Sequence, residues 1–226
     1  MTEWTLIRKF RCASTNDTAK NLPPYTAVSA CHQTKGRGRM GRKWQDGKGN
    51  LMVSLVLPKP LKNAELYTFL ISLAVARSLE KLSAKIKWPN DILIDGKKVC
   101  GILLEVFQDK LIIGIGVNIQ SCPSTDVMYP VACLKDFHFD MTYKRLLKSI
   151  LQNLDSVIQC YQKTGFKAVR HEWLQFACGL EKSISVNLPS QKMTGIFKGI
   201  TDTGALILQT TDGNLHEITA GDVFLI

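Results

Sequence analysis

The chain has 226 residues, 29 Lys and Arg against 19 Asp and Glu, a formal net charge of +10, and 45% hydrophobic residues. That length suits one substantial domain with a small appendage, able to bury roughly 70–75% of its unfolded surface. The balance excludes a disordered or collagen-like chain, and no apolar run approaches the ~20 residues of a membrane span. The longest, Phe69 to Ala76, is interrupted by Ser72 and closed by Arg77.

The positive charge is concentrated. Residues 1–60 hold eleven Lys and Arg against three Asp and Glu, which calls for an anionic partner: a phosphate-bearing small molecule, an acidic protein or nucleic acid. Seven cysteines is an odd number, and the closest pair, Cys122 and Cys133, offers neither C-x-x-C nor zinc spacing. All seven read as reduced. The opening MTEWTLIRKF is charged too early for a signal peptide, and a soluble cytoplasmic protein is expected.

In chain order, strands are expected at Trp4–Phe10, Thr26–Cys31 and Leu51–Leu57, each rich in β-branched or aromatic residues and bounded by turn formers. Ala64 to Leu82 places Leu66, Phe69, Leu70, Leu73, Ala74 and Leu79 near one helical face. Further strands are expected at Lys97–Phe107 and Lys110–Asn118, joined so closely at Asp109-Lys110 that they form an antiparallel hairpin. Tyr143 to Gln162 reads as a second amphipathic helix. From about Ser183 short strands alternate with turns at Pro189-Ser190, Asp202-Thr203-Gly204 and Asp212-Gly213-Asn214. The expected fold class is α+β, a mixed sheet flanked by helices, with domains at residues 1–182 and 183–226.

The segment HQTKGRGRMGRKWQ, residues 32–45, contains G-x-G-x-x-G at Gly36, Gly38 and Gly41. A dinucleotide fingerprint needs a helix to follow, so that its N-terminus meets the pyrophosphate. Here Asp46-Gly47 and Lys48-Gly49 break any helix, and the next element is the strand at Leu51. A Walker loop fails as well, because Arg42, Lys43 and Trp44 stand where Lys and a hydroxyl are required. What remains is a mobile strand-to-strand loop in which arginine side chains bind an anion through forked donors and which closes as it does so.

In KWPNDILIDGKKVCGILLE, residues 87–105, Pro89 keeps Trp88 out of helical space. Asn90 and Asp91 head a strand, and Asp95-Gly96 turns the chain back so that Asp91 and Lys98 face each other across a hairpin. Taken alone, this segment fits a mere turn equally well.

Together, CASTNDTA (12–19), QTKGRGRMGRKW (33–44), KWPND (87–91), GKKVCGIL (96–103) and GIGVN (114–118) resemble the biotin protein ligase family in order and spacing. GIFKGITDTGALIL (195–208) is similar to that family's small C-terminal SH3-like β-barrel. The resemblance implies a fold shared with lipoate ligases and distantly with class II aminoacyl-tRNA synthetases. It implies a two-step reaction with ATP and biotin as substrates and Mg²⁺ accompanying ATP. Biotinyl-5'-AMP would form first, and a lysine of the biotin carboxyl carrier domain of acetyl-CoA carboxylase, or a related biotin enzyme, would then take the biotin.

By the same resemblance Ser14, Thr15 and Gln33 hydrogen-bond the ureido head, although Ser14 or Thr15 could instead only cap a helix starting near Asn16. Arg37 and Arg39 clamp the carboxylate and phosphate, with Lys98 opposite and Gly36 beside them. Arg42 helps bind the triphosphate, Trp44 stacks beside the adenine or serves as a core anchor, and Gly101, Gly114 and Gly116 admit the ligand to the strand backbone. Asn90 and Asn118 meet the adenylate, and Asn16 supports them. Asp91 orients Lys98, positions the attacking amine or touches Mg²⁺; metal ligands stay unassigned. Met40 and Cys100 depart from relatives only mildly. The catalytic pattern starts within the first 15 residues, so no helix-turn-helix and no sequence-specific DNA binding are expected. A membrane is not an expected partner, and the assembly is a monomer or homodimer. The rival readings are a lipoate or octanoate ligase, whose R-R-x-S-G-G-G-type segment is missing, a basic-loop nucleic-acid-binding module, and a catalytically dead biotin-binding protein.

Overall fold

A computed structural model describes residues 2–45, 47–123, 129–139, 141–189 and 191–226. The chain runs β1 (Thr5–Cys12), α1 (Thr15–Ala19), β2 (Thr26–Gln33), β3 (Leu51–Pro58), α2 (Tyr67–Ser78), β4 (Lys85–Lys87), β5 (Asp91–Ile94), β6 (Lys97–Phe107), β7 (Lys110–Val117), α3 (Tyr143–Thr164) and α4 (Phe166–Phe176). The C-terminal strands are β8 (Ser183–Asn187), β9 (Lys192–Ile200), β10 (Leu206–Gln209), β11 (Leu215–Ile218) and β12 (Asp222–Leu225). Asp46 and Ser190, both read as turn residues, lie outside the described residues.

The first seven strands form one sheet in the order β1-β2-β3-β7-β6-β5-β4. Only β1 and β2 pair in parallel, so the sheet is mixed, as expected. The β6–β7 hairpin closes with Phe107 opposite Lys110. The central strand β3 is buried from Leu51 to Leu57, because α1 packs on one of its faces and the main core fills the other.

The Ala64–Leu82 periodicity resolves into α2 flanked by single 3-10 turns at Ala64–Leu66 and Glu80–Leu82. Phe69 to Ala76 are buried on every side rather than on one stripe, because the sheet, α3 and α4 surround the helix. Ser72 is the polar interruption in that run. Its hydroxyl donates to the Phe69 carbonyl at 3.0 Å and accepts from the buried Trp173 Nε1 at 3.0 Å, which removes the cost of burying the indole N–H. Helix α4 is not among the expected elements, although its buried residues Phe166, Val169 and Trp173 sit at helical spacing. Gly165, at φ 75, separates it from α3.

The C-terminal sheet is antiparallel and SH3-like, ordered β11-β10-β9-β8-β12. Among the described residues β11 and β12 do not pair, so it is not closed into the expected barrel. Its apolar side continues the core of the larger sheet: Ile184, Phe197 and Leu206 share one cluster with Phe69 and Trp173. Trp88 Nε1 donates to the Gly204 carbonyl at 3.0 Å, and Arg170 pairs with Asp202 at 2.8 Å.

Gly204 has φ +83, and a Cβ there would lie 2.4 Å from Phe69 Cε2. Gly204→Ala should therefore cost about 2–3 kcal/mol through strain and overpacking together. Urea unfolding reads this as a lower midpoint with an unchanged slope; a midpoint equal to that of the unaltered chain would refute the packing described.

Candidate active site

The glycine loop leaves β2 and folds back on itself. Arg37 and Lys43 form an isolated antiparallel bridge, Gly38 N donates to the Arg42 carbonyl at 2.6 Å, and Trp44 N donates to the Gly36 carbonyl at 3.0 Å. Arg39–Gly41 make a 3-10 turn in which Met40 and Gly41 have positive φ. The glycines therefore do less than grant general freedom. Gly41 supplies a left-handed turn, whereas Gly36 allows close approach, since its Cβ would meet the Trp44 carbonyl at 2.9 Å.

This loop covers a cleft of about 180 Å³ over β3, β5, β6 and β7. The cleft is lined by Ser14, Thr15, Gln33, Arg37, Arg39, Arg42, Trp44, Asn90, Asp91, Lys98, Gly101, Gly114, Gly116 and Asn118, with Lys43, Tyr129 and Asp222 among others. It thus collects the expected site residues except Gly36, which lies behind it against Trp44 and Gln33.

On the cleft floor Ser14 is buried at the N-cap of α1, but its side chain makes no capping bond. Thr15 donates to Gln33 Oε1 from its backbone N at 2.7 Å and from its hydroxyl at 3.0 Å. Ser54, wholly buried on β3, has its hydroxyl within hydrogen-bond distance of Thr15 Oγ1 at 2.8 Å and of Asn16 Oδ1 at 2.5 Å, its one proton serving one of these acceptors at a time. Asn16 Nδ2 continues the chain to Glu105 Oε2 at 2.5 Å. Buried polar groups hold their geometry only when satisfied in this way.

Each of the three loop arginines already has a partner. Arg37 lies bidentate on Asp17 at 2.7 and 2.8 Å and reaches Glu105 at 3.5 Å. The guanidinium holds the Asp17 carboxyl well below the usual carboxylate range, and Asp17 in turn raises the Arg37 pKa. Arg39 Nη1 donates to Asn90 Oδ1 at 3.0 Å, and burial lowers its pKa. Arg42 pairs with Asp222 of β12 at 2.8 Å. Burial pushes the nearby Tyr129 phenol up to about 12.

Asp91 and Lys98 face each other as expected, at 2.7 Å. A register shift after Ile92 brings them together although Lys98 is opposite Leu93. Asn90 Nδ2 donates to the Ile102 carbonyl at 2.7 Å, and Asn118 Nδ2 to the Ala132 carbonyl at 3.2 Å.

The strand glycines line the cleft and also seat side chains of the protein. The Trp44 indole lies on Gly116 and Gly101, whose Cβ atoms would stand 2.4 and 3.1 Å from its ring, and Asn16 Oδ1 lies 2.6 Å from a Cβ at Gly114. These clearances seat side chains of the protein at the cleft lining. The indole Nε1 is buried with no partner among the described residues.

Local sequence patterning points to Asp91 as the site's carboxylate, and the structure adds Asp17, Glu105 and Asp222, as well as Ser54. Glu105 carries a local signal: it alternates with Gly101 and Leu103 on β6 and is the acid of an otherwise apolar run. Asp222, 180 residues from Arg42 in sequence, carries no local signal.

Since Arg37 is tied to α1 through Asp17, Asp17→Asn should free the loop. Limited trypsin digestion of the ligand-free chain should cut after Arg37 to Lys43 several-fold faster, on the order of 3–10-fold, than in the unaltered protein. Equal rates would show that Asp17 does not hold the loop. Because Asp17 titrates below the ordinary range, its stabilising contribution persists at neutral and mildly acidic pH and is lost only as pH falls through that depressed value.

The family model described as the biotin/lipoate A/B protein ligase family matches residues 7–119, and that of the biotin protein ligase C-terminal domain matches residues 179–226. A biotin--[acetyl-CoA-carboxylase] ligase of Paracoccus denitrificans is 34% identical, over 95% of this chain and 98% of its own. The bifunctional ligase/repressor BirA of Bacillus subtilis is 33% identical over 91% of this chain and 67% of its own. Among solved structures, the biotin protein ligase from Aquifex aeolicus in complex with biotin and ATP superposes with a TM-score of 0.87 at 28% identity, covering 98% of this chain and 99% of that one. With both domain models, near-full-length identity and the fold in agreement, the chain belongs to the biotin protein ligase family, a family of ATP-dependent ligases.

Proposed function

We propose that this chain joins biotin to ATP and passes the biotinyl group to a lysine of a biotin carboxyl carrier protein. The observation that carries the reading is the convergence of Arg37, Arg39, Arg42 and Lys98 on one cleft whose floor holds the Thr15–Gln33 pair. The names of the Paracoccus and Aquifex relatives supply the substrates. The residue boundary at 182/183, where β8 begins, is proposed as the domain division.

In the first step a biotin carboxylate oxygen bonds to the α-phosphorus of ATP and the bond to the leaving pyrophosphate breaks. Two anions must meet, so cations placed to face both lower the barrier by neutralising their repulsion in a cleft of reduced dielectric. Arg37 and Arg39 take the carboxylate and α-phosphate from the loop side, with Gly36 supporting the loop, and Lys98 takes the same oxygens from β6. Arg42 serves the outer phosphates, and Trp44, Asn90 and Asn118 border the adenylate.

At the ureido end Ser14, Thr15 and Gln33 are the polar partners, and Gly101, Gly114 and Gly116 let the strand backbone approach the ligand beside Trp44 and Asn16. In the second step the ε-amine of the carrier lysine attacks the acyl carbon. The acyl–phosphate bond breaks, AMP leaves and the amine gives up a proton. Asp91, held to Lys98, is the carboxylate nearest this chemistry among the residues assigned here.

Mg²⁺ is expected with ATP. Among the described residues no group of three His, Cys, Asp or Glu gathers to cage a metal, and Asp91 and Asp222 are each engaged by cations. The donor set therefore does not make a resident metal site, and no step is assigned to one. A cytoplasmic location, a monomeric or homodimeric state and the absence of DNA binding belong to the same proposal; no helix among the described residues is long and apolar enough to cross a membrane.

The test is exchange of labelled pyrophosphate into ATP, run with biotin, lipoate and octanoate. Exchange with biotin alone is expected; exchange with lipoate alone would transfer the chain to the lipoate branch, and none with any acid would end the proposal. Lys98→Ala should lower the biotin-dependent rate by about 10²–10³-fold while moving the unfolding midpoint little. Full activity in that variant would remove Lys98 from the mechanism.

A further inference from the structure

Lys98 poses an electrostatic difficulty. A lysine meant to draw in anions is bound to the Asp91 carboxylate at 2.7 Å, and a one-to-one ion pair presents almost no net field. Lys87 stands on the other side of that carboxylate. It is opposite Asp91 in the β4–β5 register and is only 4% exposed. Its Nζ lies 3.4 Å from Asp91 Oδ2 and 3.3 Å from the Tyr129 ring centroid. An aromatic face and a carboxylate are both partners for an ammonium rather than a neutral amine. Burial pushes the Lys87 pKa down, and the neighbouring carboxylate pulls it the other way.

We propose that Lys87 is a positioning residue for anion binding: it neutralises Asp91 from behind, so that the Lys87–Asp91–Lys98 cluster keeps one net positive charge and Lys98 acts on the phosphate and carboxylate oxygens. This rests on the functional reading above, in which those oxygens belong to ATP and biotin. Lys87 does not line the cleft, so it acts through Asp91 rather than on the ligand. Its contact with Tyr129 has a second consequence. The same ring packs on Phe224 of β12 at a centroid distance of 4.9 Å, so the buried ammonium also anchors the cleft wall against the C-terminal sheet.

A purely structural ion pair predicts that losing Lys87 lowers the unfolding midpoint, that losing both partners restores it, and that the ATP affinity of the folded variants does not change. Charge balance predicts the opposite, because Lys87→Met makes the cluster neutral and adding Asp91→Asn returns it to one positive charge. ATP binding, measured by titration calorimetry without biotin, should weaken by about tenfold in Lys87→Met. It should return to within about threefold of the unaltered chain in Lys87→Met/Asp91→Asn. Lys87→Gln gives the same pair of measurements if the methionine variant does not fold, and failure of both to fold would overturn the proposal by making Lys87 a folding determinant. Unchanged ATP affinity in Lys87→Met, or a double variant as weak as the single one, would overturn this inference alone. No ATP binding by the unaltered chain would overturn the functional reading with it.

Discussion

The cations of this cleft are held in place by the protein's own acceptors, and the arrangement of the site depends on those pairings. Arg37 lies on Asp17 and Glu105, Arg39 on Asn90, Arg42 on Asp222, and Lys98 on Asp91. An open group of four positive side chains would repel itself and wander through many rotamers. Paired, each head group has a defined position. An incoming carboxylate or phosphate then exchanges for an existing partner instead of ordering a free side chain, so the entropy of ordering is met during folding rather than binding.

The same pairings tie distant parts of the chain to one place. Asp17 belongs to α1, Asn90 to the turn before β5, and Asp222 to β12 of the C-terminal sheet. Arg42–Asp222 and the contacts of Tyr129 with Lys87 and Phe224 make the small sheet part of the cleft wall. Behind the wall, Trp88, Phe69 and Gly204 join the two sheets through one apolar core. The C-terminal sheet therefore contributes both to stability and to the electrostatics of the site. Trp44 does similar double work: seated on Gly101 and Gly116, it pins the end of the glycine loop to the sheet floor.

Much of this was legible from sequence where the signal is local. The strands beside the glycine loop, the β6–β7 hairpin and the Asp91–Lys98 pair follow from alternation and turn chemistry. The full-length pattern of five short motifs identified the family although each motif alone was ambiguous. What escaped is set by tertiary packing. Helix α2 shows an apolar stripe in sequence, yet all its faces are buried because three elements surround it. The strand glycines mark a close approach, but nothing local reveals that Trp44 and Asn16 are among the groups seated on them. Ser54 looks like an ordinary strand serine until Thr15 and Asn16 are seen to converge on it. Asp222 becomes a site residue only once the small sheet has docked.

The central claim is that ligand binding replaces internal partners of the site cations. A crystal structure of the chain with biotin and a non-hydrolysable ATP analogue tests it most directly. The account predicts that Arg37 leaves its bidentate position on Asp17 to meet the ligand's carboxylate or α-phosphate, with Lys98 on the same oxygens. Arg37 still bidentate on Asp17 beside a fully bound ligand, with its oxygens met by other residues, would contradict it.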